Sequence, residues 1–186
     1  MERLIKQIEN YIPFNEQEER DKAQMLSFLR SGTQLLTRDN PVVHLTASAW
    51  VVSPDRSQVI LVYHNLYRSW SWMGGHADGD AALLRVAKKE VMEECGLQDL
   101  AVVSPEIFSL EILSVSGHEK KGQYLSSHLH LNVTYLFEAD PAQPLRIKPD
   151  ENSGVSWVRV EDIPVKSTEP WFCERIYSKL QKKAAL

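Results

Sequence analysis

The chain has 186 residues, 43% of them hydrophobic and 25% charged; this is the usual mix of a single folded domain and excludes disorder as the main state. Lys and Arg number 21 against 25 Asp and Glu, a formal net charge of −4, so no global positive field exists to hold nucleic acid or an anionic membrane. The 2 cysteines, Cys95 and Cys173, stand far apart without a CxxC spacing, which excludes a disulfide framework and a zinc knuckle and makes a reducing cytoplasm the expected compartment.

The opening MERLIKQIEN mixes charged with apolar residues, and no run of about 18 apolar residues follows, so neither a signal peptide nor a spanning helix is expected. Leu4, Ile5, Ile8 and Tyr11 recur at spacings of three and four, Pro13 interrupts, and Asn15 with Glu18 forms a capping box. Two helices are predicted. The second carries Met25, Leu26 and Leu29 inward and stops near Gly32. Residues 1–40 are thus expected to form a helical extension packed on a core domain spanning 41–186.

From Val42 the period changes to two. VVHLTASAWVV and QVILVYHN flank a polar SPDRS, the pattern of a hairpin. WSWMGGHADGDA reads as a Trp-rich strand end running into a glycine loop, and ALLRVAKKEVMEECGL as an amphipathic helix capped by Asp80 and ending near Gly96. SLEILSV, HLHLNVTYLFEA and GVSWVRV are further strands, EDIP a short helix, and the segment from Ser167 a C-terminal helix carrying Phe172, Ile176 and Leu180. Strands and helices interleave without regular βαβ alternation, so the expected fold is α/β with a mixed sheet and helices on both sides.

On the central helix, Leu84, Ala87, Val91 and Cys95 share one stripe, which makes Cys95 a buried small residue. Glu90, Glu93 and Glu94 cluster on another side, while Lys88 and Lys89 are expected to point elsewhere. Carboxylates grouped this way either stay solvated or take a cation, and hard oxygen ligands suit Mg²⁺ or Mn²⁺.

Gly75, the acidic helix and then Gly96-Leu97 resemble the Nudix box, G-x5-E-x7-R-E-U-x-E-E-x-G-U with U apolar. Gly75, Glu90, Val91, Glu93, Glu94, Gly96 and Leu97 match it; Ala81 stands where the family has Glu, and Lys89 where it has Arg. The resemblance implies an α/β/α sandwich and metal-dependent hydrolysis of a diphosphate linked to another group, with a small-molecule phosphoanhydride as substrate. It also implies Glu90 and Glu94 as principal ligands of Mg²⁺ or Mn²⁺, Glu93 as an additional one, and Gly75 as the source of a ligating carbonyl. The two departures favour slower or altered chemistry, with a nucleotide-sensing or partner-binding domain as the alternative. Lys in place of Arg keeps the charge but loses the bidentate fork.

Around the box, Arg68, Trp72, His76 and Lys120 are candidates for substrate binding, Trp72 by stacking on a base and Arg68 by reaching a phosphate. His128 and His130 alternate along a strand and so share a face, compatible with metal or phosphate binding. The stretch between Val115 and Ser127 is a polar loop whose Lys120 and Lys121 would attract substrate. Glu119 within it, and Glu151 beyond it, are candidate bases.

Overall fold

The computed structural model describes residues 1–120 and 122–185, Lys120 by its backbone alone. Two helices, Glu2–Asn10 (α1) and Glu16–Arg30 (α2), lead into Val43–Val52 (β1), Gln58–His64 (β2), Ser69–Ser71 (β3) and Met73–His76 (β4). The helix Leu83–Cys95 (α3) follows, then Ala101–Val102 (β5), Ser109–Val115 (β6), a hairpin of His118–Lys120 (β7) with Gln123–Leu125 (β8), and His128–Glu138 (β9). The chain closes with Asn152–Arg159 (β10), Ile163–Lys166 (α4), a π-helical stretch Phe172–Tyr177 and Ser178–Ala184 (α5).

β1 is buried along its whole length because it has partners on both edges and helices over both faces. It runs parallel to β9, His44 opposite His130 and Ser48 opposite Thr134, and antiparallel to β4, Ala47 opposite Gly75. The predicted hairpin joins it to β2 through Val52 and Val59, and β10 completes that edge against β2. This is the mixed sheet expected. Alternation along β1 and β9 puts Leu45, Ala47, Leu131 and Val133 in the core that α3 covers with Val86, Ala87 and Val91. Trp50, Leu136 and Leu113 lie in a second cluster closed by Ile176, Tyr177 and Leu180.

The N-terminal helices pack on the sheet with Leu4, Ile8, Met25 and Leu29 buried in the first core. Asn15 Oδ1 accepts the Glu18 N–H at 3.0 Å, and the Glu18 carboxylate reaches back to the Phe14 N–H at 2.7 Å, one residue short of the reciprocal capping-box bond to Asn15. It also accepts from Tyr11 and Ser109 and pairs with Lys179 and Lys183. Asp21 accepts the Ile112 N–H at 3.1 Å, so α2 satisfies a donor on β6, a strand that pairs with β9 alone among the described residues.

Three local expectations are corrected. Gly74 and Gly75 belong to strand β4, because β1 offers them an antiparallel edge, and the turn begins only after His76. Asp80 is not the α3 cap: Ala82 holds that position, while Asp80 accepts the Ala82 N–H and both nitrogens of an Arg85 fork at 2.8 Å. The polar stretch after Val115 contains the β7–β8 hairpin rather than an unstructured loop. Gly96 does end α3, in the left-handed region at φ +76°.

Candidate active site

α3 and β4 meet at the glycines. A side chain on Gly74 would strike Ser48 and the Ala47 carbonyl, and one on Gly75 would occupy the place of the Glu90 carboxyl, so this approach is open only to glycine. Glu94, 3% exposed, accepts the Gly74 N–H at 3.0 Å. The helix therefore presents two carboxyls to the glycine strand, one hydrogen-bonded to its backbone and one filling the space beside Gly75.

Both carboxyls are held above the usual carboxylate range. For Glu94 burial is the chief cause, with the charges of Glu90 and Glu151 adding to it; the Gly74 N–H and Lys148 pull the other way, and the pKa is pushed up to about 8. Glu90 is raised by burial and then by Glu93. Glu93 lies further out, its carboxylate 3.5 Å from both Lys89 and Lys148. That corrects the expectation that Lys89 points away: at i,i+4 on one helix the two side chains are neighbours. Lys148 also contacts Glu151 at 3.0 Å. Burial works against its charge, but Glu151, Glu93 and Glu90 outweigh that and keep it protonated.

The donor set fits a hard divalent cation. Carboxyls that raise one another's pKa are the arrangement a bound cation would relieve, and the oxygens of Glu90, Glu94 and the Gly75 backbone are of the kind Mg²⁺ and Mn²⁺ accept. In its metal-free form the folded protein keeps a proton on Glu94 between the ordinary pKa of 4.5 and about 8, where the unfolded chain has lost it. Stability of the metal-free protein should therefore fall as pH rises through that window, by an amount on the order of a few kcal/mol at most. Urea melts of chelator-treated protein near the two ends of the window test this. Glu94→Gln should flatten the dependence, and an unchanged slope in that variant would remove Glu94 as its source.

The departures from the box pattern have local consequences. Ala81 is half-buried, and both neighbouring acids are paired with arginines. Asp78 is held by a two-pronged contact from Arg38 at 3.0 Å, and Asp80 by Arg85.

The other candidates scatter. Arg68 is exposed in the β2–β3 turn at φ +51°, its N–H bonded to the His64 carbonyl. Trp72 is 9% exposed and packs edge-on against Phe172 and Tyr177, which gives it a core role rather than an open stacking face. Glu119 is exposed on the β7–β8 hairpin, whereas Glu151 sits with Lys148 beside the box. The Lys120 side chain and Lys121 lie outside the described residues. Cys95 is fully buried and its thiol raised to about 11, as a core residue should be. Sequence reasoning missed Lys148 and the buried Asn152, whose amide donates to the Glu94 carbonyl at 2.9 Å. The signal was the polar KPDEN that leads into β10.

His76 joins His44, His128 and His130 in one group of imidazoles. Burial and then the neighbouring rings push His130 down to about 2, and burial lowers His44.

A mixed sheet with an acidic helix laid against a glycine strand is the architecture that the resemblance to the Nudix box implies. The NUDIX domain model matches residues 42–179, and the chain belongs to that family. A Nudix hydrolase from Mycobacterium smegmatis, RenU, is similar at 15% identity and a TM-score of 0.55, covering 76% of this chain and 86% of its own. A C. elegans Ap4A hydrolase in a binary complex has 16% identity and a TM-score of 0.52, over 76% and 94%. A MutT protein from Methanosarcina mazei Go1 has the same identity and TM-score, over 76% and 95%. At these identities the structures share the fold alone. No curated protein sequence matches the chain. Among the described residues no helix is long and apolar enough to cross a membrane.

Proposed function

We propose that this hydrolase acts on a nucleoside diphosphate derivative or a related organic pyrophosphate, with Mg²⁺ or Mn²⁺ held by Glu90, Glu94 and the Gly75 carbonyl and with Glu93 as an outer ligand. The observation that carries this reading is the pair of inward carboxyls, Glu90 and Glu94, each displaced toward its neutral form beside a glycine strand. When bound, such an ion clamps phosphoryl oxygens and activates a water. The chain's own residues then divide the work. The Gly74 N–H orients Glu94, and the bare Gly75 leaves room for Glu90. Lys148, kept protonated by its acidic neighbours, supplies positive charge next to an anionic substrate. Glu151, 3.0 Å from that lysine, is the base candidate nearest the box.

A screen of nucleotide pyrophosphates with Mg²⁺ and with Mn²⁺, reading phosphate after coupled phosphatase treatment, tests the reading. Turnover that a chelator abolishes is the expected result. Metal binding with no turnover on any substrate would instead favour a sensing or partner-binding domain, for which Ala81 and Lys89 are the supporting features.

A further inference from the structure

The histidines lie at one end of the sheet, on the face away from Glu90. His44 pairs with His130 across β1 and β9, and Thr46 pairs with His76 across β1 and β4. Directly paired residues share a face, and so do residues two apart on one strand, so His44, His76, His128 and His130 all project to the same side. Gly75, one residue before His76, faces α3 instead. The ring centroids of His44, His76 and His130 form a nearly equilateral triangle with sides of 5.0, 4.9 and 5.0 Å. One nitrogen from each lies within 4.8 Å of the others.

Hydrogen bonds bias the tautomers. His44 Nδ1 faces the Asn40 carbonyl at 3.2 Å and His128 Nδ1 the Ser126 carbonyl at 2.8 Å, which puts the proton on Nδ1 and the lone pair on Nε2 in both rings. His44 is 5% exposed, and its Nε2 is buried without a hydrogen-bond partner. A buried acceptor left unpaired is costly unless something fills its lone pair. His128 Nε2 stands 3.2 Å from His130 Nε2; with its lone pair there it accepts from His130 and orients that ring, as outer partners orient metal-binding imidazoles.

We propose that His44, His76 and His130 bind a borderline transition-metal ion of the Zn²⁺ class at a site separate from the box glutamates, joining the start of β1, the end of β4 and the start of β9. An all-imidazole set selects Zn²⁺, Co²⁺ or Ni²⁺ over the oxygen-seeking Mg²⁺. At a metal–nitrogen distance of about 2.05 Å a tetrahedral ion needs nitrogens about 3.4 Å apart, a closure within reach of side-chain rotation at the half-buried His76 and His130. Three protein ligands leave a coordination position for water.

The test uses the full metal-free chain with excess Mg²⁺ present, titrated with Co²⁺ and read by its visible absorption, then with Zn²⁺ by competition against a chelating dye. One Co²⁺ per chain with the intense bands of low coordination is expected. His76→Gln and His130→Gln should each weaken binding by about 100-fold or more, while Glu90→Gln and Glu94→Gln leave it unchanged. Zn²⁺, but not Mg²⁺, should raise the thermal midpoint of the unaltered protein, a readout that needs no variant. Absence of Co²⁺ uptake, uptake indifferent to both histidine changes, or uptake lost with Glu94→Gln would each overturn the site. The last outcome alone would assign the ion to the box, so this inference can fail while the proposed hydrolase reading stands.

Discussion

Glu90→Gln is expected to lower turnover on the best substrate by about a hundredfold or more while the fold survives. The carboxyl is half-buried, is pushed toward its neutral form by burial and by Glu93, and fills the space beside Gly75. Glutamine keeps the shape and removes the charge, so the folded state loses nothing it needs and is relieved of a repulsion. Thermal melts should show an unchanged or higher midpoint, and calorimetric titration should show weaker Mn²⁺ binding. Gly75→Ala reaches the same loss by another route, because its methyl must displace the Glu90 carboxyl, whereas Glu90→Gln keeps a side chain of the same shape there. Near-normal turnover in Glu90→Gln with intact Mn²⁺ binding would move the chemistry to Glu151. Loss of turnover together with a collapsed melt would mean that Glu90 supports the fold, contrary to its raised pKa.

What could be read in the chain beforehand was whatever follows from local period and spacing. The segment SLEILSV became a strand with those bounds, and ALLRVAKKEVMEECGL became α3 with Gly96 at its end, because alternation and helical stripes are short-range properties. The grouping of Glu90, Glu93 and Glu94 was legible for the same reason. Their different surroundings were not: Glu94 is buried and Glu93 exposed because β4 and the segment carrying Lys148 arrive from distant parts of the sequence. The glycines read as a loop because glycine favours turns, yet a neighbouring strand that needs a close approach makes the same residues a strand. The histidine triangle depends on the parallel register of β1 and β9, which no local pattern encodes; only the shared face of His128 and His130 was visible in HLHLNV.

The largest stability loss is expected for Lys179→Met. The Lys179 ammonium, 2% exposed, lies 3.1 Å from Glu18 and 2.9 Å from Glu111, both carboxylates fully buried. The Ser109 hydroxyl lies within hydrogen-bond reach of both acids, with one proton to give to either, and Asn132 and Thr134 donate to Glu111 from β9. One cation on α5 thus joins α2 and the strand β6 to the C-terminal helix. Burial alone would raise the Glu18 pKa, but Lys179 and the Tyr11, Phe14 and Ser109 donors outweigh it and set it at about 2. Deleting the ammonium leaves Glu111 without its cation and Glu18 with Lys183 only, and an uncompensated buried charge costs about 3–5 kcal/mol. Denaturant melts at neutral pH should show that loss. Adding Glu111→Gln to Lys179→Met should recover part of the deficit at neutral pH, since the orphaned charge is gone. A double-mutant cycle between the two positions isolates the coupling. If Lys179→Met alone were as stable as the parent, α2 and the C-terminal helix would owe their docking to the apolar contacts of Met25, Leu29, Ile176 and Leu180, and the buried ion cluster would contribute no net stability.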